Sequence, residues 1–138
     1  LRVVMNKIIG GVGSRLYRKR IALLGLAFKE GTNDVRHSLS IRLYRALRDQ
    51  GADVVGHDLL AVDQAIELEP ELEASSDLGF VLSKADVVVA LNSESAYEKI
   101  DWSAIPPRDI DLYVVDTRGI LDRNSLELGG VKYDVLGT

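Results

Sequence analysis

An open α/β fold, doubly wound about a mainly parallel sheet of about five strands, is predicted by three observations. Short runs rich in Val, Leu, Ile and Tyr recur at residues 20–27, 54–58, 86–91, 112–116 and 131–136. Stretches with apolar residues at helical spacing separate most of them. Gly, Pro, Asn and Asp gather at the junctions, where turns need them. Strands alternating with helices imply βαβ units, right-handed crossovers and a sheet covered on both faces. The expected architecture is therefore a Rossmann-like three-layer sandwich.

The elements follow in order. Residues 1–16 place Val4, Ile8, Val12 and Leu16 on one helical face, although Gly10, Gly11 and Gly13 weaken that helix. A chain that starts inside such a pattern is expected of a segment cut from something longer. The basic run at residues 15–20 reads as a solvated helix end. Residues 20–27 form a buried strand. Ser38 or Ser40 caps a helix reaching about Gln50, with Ile41, Leu43, Tyr44 and Leu47 facing inward and Gly51 ending it. The second strand is 54–58, and a short helix is expected at 61–68. Residues 67–71 then read as an exposed acidic segment containing Pro70. Ser76 or Asp77 caps a helix through Ala85. The third strand, 86–91, is apolar and β-branched, which suits a central position. A short helix at 94–100, a loop marked by Pro106 and Pro107, and two last strands complete the chain.

Bulk properties exclude several function classes. The 138 residues suffice for one domain with a proper core. The formal net charge of −4 argues against broad electrostatic binding to nucleic acid or anionic lipid. No apolar run is long enough to span a bilayer. The absence of cysteine rules out a disulfide scaffold, a thiolate zinc site and a cysteine nucleophile within this chain. It also fits a reducing compartment, so a cytoplasmic location is expected. His37 and His57 lack a third metal ligand at useful spacing, and no metal site is expected.

In doubly wound sheets, ligands sit at the carboxyl ends of the strands. The loops after Ala27, Asp58, Leu91 and Asp116 are the candidate site. The first of these is the most informative. An apolar strand runs into Gly25, Phe28, Lys29, Gly31, Thr32 and Asn33, and then into a helix. Such a loop presents backbone N–H groups and cations to a phosphorylated ligand. Gly25 and Gly31 do not make the G-x-G-x-x-G pattern of dinucleotide sites. Gly10, Gly11 and Gly13 precede the first strand and do not make it either.

The stretch Leu24-Gly25-Leu26-Ala27-Phe28-Lys29, followed by Thr32-Asn33-Asp34-Val35-Arg36 and Ser38, closely resembles the signature that opens the C-terminal domain of the UDP-glucose/GDP-mannose dehydrogenase family. Gly51-Ala52-Asp53-Val54 with His57-Asp58 resembles that family's second strand, and Asp116-Thr117-Arg118 its later D-x-R motif. The resemblance covers residues 19–136. His37-Ser38-Leu39 stands where the family often has Glu-Ser-Pro, and Asn33 where a second Asp is common. The resemblance implies an NAD-dependent oxidation of the C6 hydroxyl of a UDP- or GDP-sugar to a carboxylate. In that family an N-terminal domain holds NAD, a central helical region carries dimer contacts, and the nucleophilic cysteine lies upstream of the C-terminal domain. On this view residues 1–18 are the end of the central region and 19–138 the nucleotide-sugar-binding domain. The parent enzyme would be a homodimer or higher oligomer, with NAD bound mainly outside this chain.

Site roles also come from the resemblance. Lys29 is implied near the sugar and diphosphate, Phe28 offers backbone contacts to the substrate, Arg118 holds phosphate or base, and Arg36 reaches toward NAD. Each has a plainer reading. Lys29 could be a solvated loop lysine, Phe28 a packing residue, Arg36 a partner of Asp34, and Arg118 a partner of Asp116. Asp58 stands where a dinucleotide-binding domain puts its ribose acid, but reads more simply as a loop or cap residue. Trp102 reads as packing under the Pro106-Pro107 loop. Two other functions stay open: a stand-alone, non-catalytic nucleotide-binding module, and a complete dinucleotide-binding domain using Asp58.

Overall fold

The computed structural model describes residues 1–13, 15–105 and 111–136. Six parallel strands form one sheet: β1 (Arg20–Leu24), β2 (Asp53–His57), β3 (Glu73–Ser75), β4 (Val87–Ala90), β5 (Tyr113–Asp116) and β6 (Lys132–Val135). Their order across the sheet is β3-β2-β1-β4-β5-β6. The chain winds outward from β1 in one direction, then crosses back to β4 and winds the other way. The crevice between the ends of β1 and β4 is therefore the topological switch point.

Side chains alternate across the strands and supply two separate cores. Ile21 and Leu23 of β1, Val87 and Val89 of β4, and Tyr113 and Val115 of β5 face one layer. That layer consists of α1 (Arg2–Val12), α2 (Leu39–Asp49) and α3 (Val62–Leu68), contributing Ile8, Ile41, Leu47 and Ala65 among others. Ala22, Leu24, Val88, Ala90 and Val114 face the opposite layer. There α4 (Leu78–Ser83), α5 (Ser95–Glu98), a 3-10 turn (Trp102–Ala104) and α6 (Arg123–Leu128) supply Val81, Tyr97, Trp102 and Leu126. The three-layer sandwich is as expected, and β4 is an interior strand.

Several details differ from the sequence reading. The sheet has six strands where about five were expected: β3 follows the acidic segment as a three-residue edge strand, too short to register as a pattern. Within that segment Glu69 is not simply exposed, because Arg45 and Arg48 both pair with it. Helix α6 was not anticipated; Asp122 caps it through Ser125 N–H at 3.2 Å. The first strand stops at Leu24 instead of running to Ala27. Gly25 has a φ of 100° and turns the chain away from the ladder. Helix α1 ends at Val12, and its Val4 and Ile8 are buried in the first core.

The capping alternatives resolve. Ser38 Oγ accepts Ile41 N–H at 3.1 Å and caps α2, while Ser40 donates its hydroxyl to the Gly25 carbonyl. Asp77 caps α4 by accepting Phe80 N–H at 3.1 Å. Trp102 is buried against α6, where its backbone N–H donates to Ser125 Oγ at 2.8 Å. Pro106 and Pro107, expected to overlie it, fall outside the described residues. Among the described residues no helix is long and apolar enough to cross a membrane.

Candidate functional site

The loop after β1 is built by its neighbours. Gly25 donates its N–H to the His57 carbonyl at 2.8 Å, which continues the β1–β2 ladder by one step. The next two N–H groups, of Leu26 and Ala27, both donate to Asp58 Oδ2, at 2.9 and 3.1 Å. Asp58 Oδ1 accepts Leu60 and Ala61 N–H at 2.8 and 3.0 Å. A buried carboxylate thus satisfies four backbone donors and locks two loops together. Further on, Phe28 N–H donates to the Asp34 carbonyl at 2.7 Å and closes the loop on itself. Thr32 Oγ1 accepts Asp34 N–H at 3.1 Å within it.

The loop after β4 crowds against this turn. A Cβ placed on Gly25 would lie 2.5 Å from Asn92 Cγ, so glycine is required for the approach as well as for its φ. Asn92 is buried, and its Oδ1 accepts Glu94 N–H at 3.2 Å. Ser93 N–H reaches across the switch point to Glu30 Oε2 at 3.3 Å.

The loop after β5 is organised by Asp116, itself buried. Its Oδ1 accepts Arg118 and Gly119 N–H at 3.0 and 2.8 Å, and its Oδ2 accepts Leu121 N–H at 2.9 Å. The plainer alternative, an Asp116–Arg118 side-chain pair, is therefore not what forms: the carboxylate binds backbone. Among the described residues neither Lys29 nor Arg118 takes part in an ion pair. Both act electrostatically on Glu30. Its carboxyl is held below its ordinary range by its own backbone N–H, by that of Ser93, and then by the charges of Arg118 and Lys29. The carboxylate that bridges the crevice to Ser93 is thus one on which the charges of both Arg118 and Lys29 bear.

Phe28 is 62% exposed and does not pack the loop down. Arg36 lies elsewhere. Its guanidinium forks onto Asp34, with Nε to Oδ1 at 3.1 Å and Nη2 to Oδ2 at 3.2 Å, and it lines a groove of about 470 Å³ with Gln64, Glu67 and Leu68 of α3. That pairing raises the Arg36 pKa through the hydrogen bond and charge of Asp34, and lowers that of Asp34 in turn. His37, beside it, adopts a φ of 60°, a conformation uncommon outside glycine.

The plainer reading of Asp58 holds, because all its bonds go to backbone. Glu30, Asn92 and Ser93 were missed from the sequence. The only signal available was their position just after the two strands that flank the switch point. Buried His57 bonds Tyr97 Oη through Nδ1 at 2.8 Å and the Ser76 carbonyl through Nε2 at 3.2 Å, and no metal-binding group exists among the described residues.

Known proteins share this sequence pattern and fold. The model of the UDP-glucose/GDP-mannose dehydrogenase family, UDP binding domain, matches residues 22–123. The UDP-glucose 6-dehydrogenase AglM of Haloferax volcanii is 36% identical over 120 residues, covering 86% of this chain and 26% of that protein. The UDP-glucose 6-dehydrogenase of Rhizobium meliloti is 29% identical over 136 residues, covering 99% of this chain and 31% of that protein. The solved UDP-glucose dehydrogenase of Pyrobaculum islandicum superposes with a TM-score of 0.74 at 25% identity, over 99% of this chain and 28% of that one. The chain thus spans less than a third of the length of these relatives.

Proposed function

The chain belongs to the UDP-glucose/GDP-mannose dehydrogenase family, matching its UDP-binding domain, and on that premise we propose that it holds the nucleotide diphosphate of a UDP- or GDP-sugar for an NAD-dependent 6-dehydrogenase. In this reading residues 19–138 form the binding domain, and residues 1–18 are the end of a preceding helical region. The observation that carries the proposal is the meeting of the β1, β4 and β5 loops over the switch point, with Lys29 and Arg118 both bearing on one carboxylate. Cations gathered at strand ends beside a switch-point crevice suit a diphosphate. Lys29 supplies a point charge; Arg118 can fork onto two phosphate oxygens. Exposed Phe28 offers its surface to the sugar.

The residues present do not fit a dinucleotide site of this domain's own. The β1 loop lacks the glycine pattern, and the carboxylate in the ribose position is consumed by four backbone donors. We therefore assign NAD to a domain outside this chain, with the exposed Arg36 as the one group facing it. With no cysteine in its 138 residues, the chain also brings no thiol nucleophile. Its contribution is orientation of the sugar.

Titration of the ¹⁵N-labelled chain with UDP, GDP and NAD tests this. UDP or GDP should shift amides of residues 28–31, 93 and 117–119, and the stronger of the two names the base. Shifts confined to NAD and centred on residues 58–61, or NADH formation by this chain alone with a nucleotide sugar, would overturn the reading.

A further inference from the structure

The switch-point crevice is bridged by a side chain of the protein itself. Glu30 and Ser93 are 63 residues apart in sequence, and their hydrogen bond joins the loops after β1 and β4. A carboxylate oxygen and a phosphate oxygen are equivalent acceptors for a backbone N–H, and both are attracted to the same cations. Within the 92–94 turn, Asn92 Oδ1 already takes the Glu94 N–H, and the Ser93 N–H is the one that points to the carboxylate. Glu30 is exposed, and Gly31 behind it has a φ of 80° with open space where a side chain would be. Its exposure leaves the Glu30 carboxylate free to swing out into solvent.

We propose that Glu30 is an internal stand-in for the ligand's phosphate: its carboxylate occupies the Ser93 N–H at the switch-point crevice, and it must withdraw before a diphosphate can enter. This deepens the nucleotide reading above and rests on it for the identity of the ligand. Glu30 then acts as a specificity residue. It repels anions that engage the cations without displacing it, and it sets the affinity for those that do. The same carboxylate keeps the two cations from repelling each other while the site awaits a ligand.

Glu30→Gln and the wild-type chain, titrated with inorganic pyrophosphate, UDP and uridine at low and high salt, separate the possibilities. The amide replacement keeps the shape and removes the charge. Pyrophosphate should bind the variant about three- to tenfold more tightly, as expected for removing one like charge a few ångströms from a polyanion. The gain should shrink in high salt, the Ser93 amide should shift on binding, and uridine affinity should not change. Pyrophosphate affinity that is unchanged or weaker in the variant, or an equal gain for uridine, overturns the proposal. If pyrophosphate behaves as expected while UDP binds neither protein better than pyrophosphate does, the stand-in role holds and the nucleotide reading falls. Glu30→Ala should reproduce the gain, and an unchanged melting temperature in both variants confirms that folding is not the cause.

Discussion

Asp58 at the end of β2 holds Leu26 in the loop after β1, with 2.9 Å from the Leu26 nitrogen to Asp58 Oδ2. The same carboxylate takes three further N–H groups, from Ala27, Leu60 and Ala61. The position that serves a ribose in dinucleotide-binding domains is used here to fix the shape of the ligand loop.

Asp58→Asn should consequently act on stability first. An amide can keep one accepting oxygen, but its NH₂ would face two donors and leave them buried without partners. The expected loss is about 2–4 kcal/mol, at roughly 1–3 kcal/mol for each orphaned group with partial relief from water. Urea unfolding followed by circular dichroism measures it. A variant as stable as wild type would show that the loop is held by other means.

Gly25→Ala should be costly for two separable reasons. The φ of 100° strains any residue with a Cβ, and that Cβ would sit 2.5 Å from Asn92 Cγ. A destabilisation of about 2–4 kcal/mol is expected from strain and overpacking together. Adding Asn92→Gly removes the clash and leaves the strain, so the double variant should recover part of the loss. Strictly additive effects in that cycle would mean the two residues do not interact.

Arg36→Ala should leave the unfolding midpoint essentially unchanged. Its pair with Asp34 is local and the guanidinium is exposed, a setting where ion pairs contribute little. In the 6-dehydrogenase proposed above, the same substitution should raise the KM for NAD while leaving nucleotide-sugar affinity alone. Equal losses for both ligands would place Arg36 in the sugar site instead.

His57 imposes a pH dependence. The Ser76 carbonyl can only accept, so Nε2 carries the proton and Nδ1 accepts from the Tyr97 hydroxyl. Burial lowers the His57 pKa, partly opposed by the Ser76 carbonyl and the charge of Asp58. The unfolded chain binds a proton near pH 6.5, and the folded one resists it until lower pH. The stabilisation from neutral His57 is therefore complete above about pH 6.5 and is lost as the pH falls through the folded value. Unfolding free energies measured from pH 8 to 5 should decline on the acid side, and His57→Gln should flatten that decline. An unaltered slope would show that other groups set it.

Much of this was legible beforehand. Apolar runs marked β1, β2, β4, β5 and β6, and β-branching marked β4 as interior, because the interior of a parallel sheet accepts little else. Amphipathic spacing identified α2, and cap chemistry narrowed its start to Ser38 or Ser40. The motif from Leu24 to Ser38 identified the family and made Lys29 a candidate, and the later Asp116-Thr117-Arg118 motif made Arg118 one. The strand β3 and helix α6 escaped because their residues, Glu-Ala-Ser and Arg-Asn-Ser-Leu-Glu-Leu, make no apolar run.

The sequence by itself determined the layers and the family and nominated the cations, since each is written in local pattern or local motif. Tertiary structure alone decided which carboxylates serve which loops. Asp58 turned inward to four backbone groups, Asp116 to three, and Glu30 outward to the cations and Ser93. All three follow strand ends and look alike in sequence. Asp116 and half of Asp58 bind donors within five residues. The Leu26 and Ala27 bonds of Asp58 and the Ser93 bond of Glu30 exist only because distant strands are brought side by side, and a backbone N–H takes whichever acceptor that places near it.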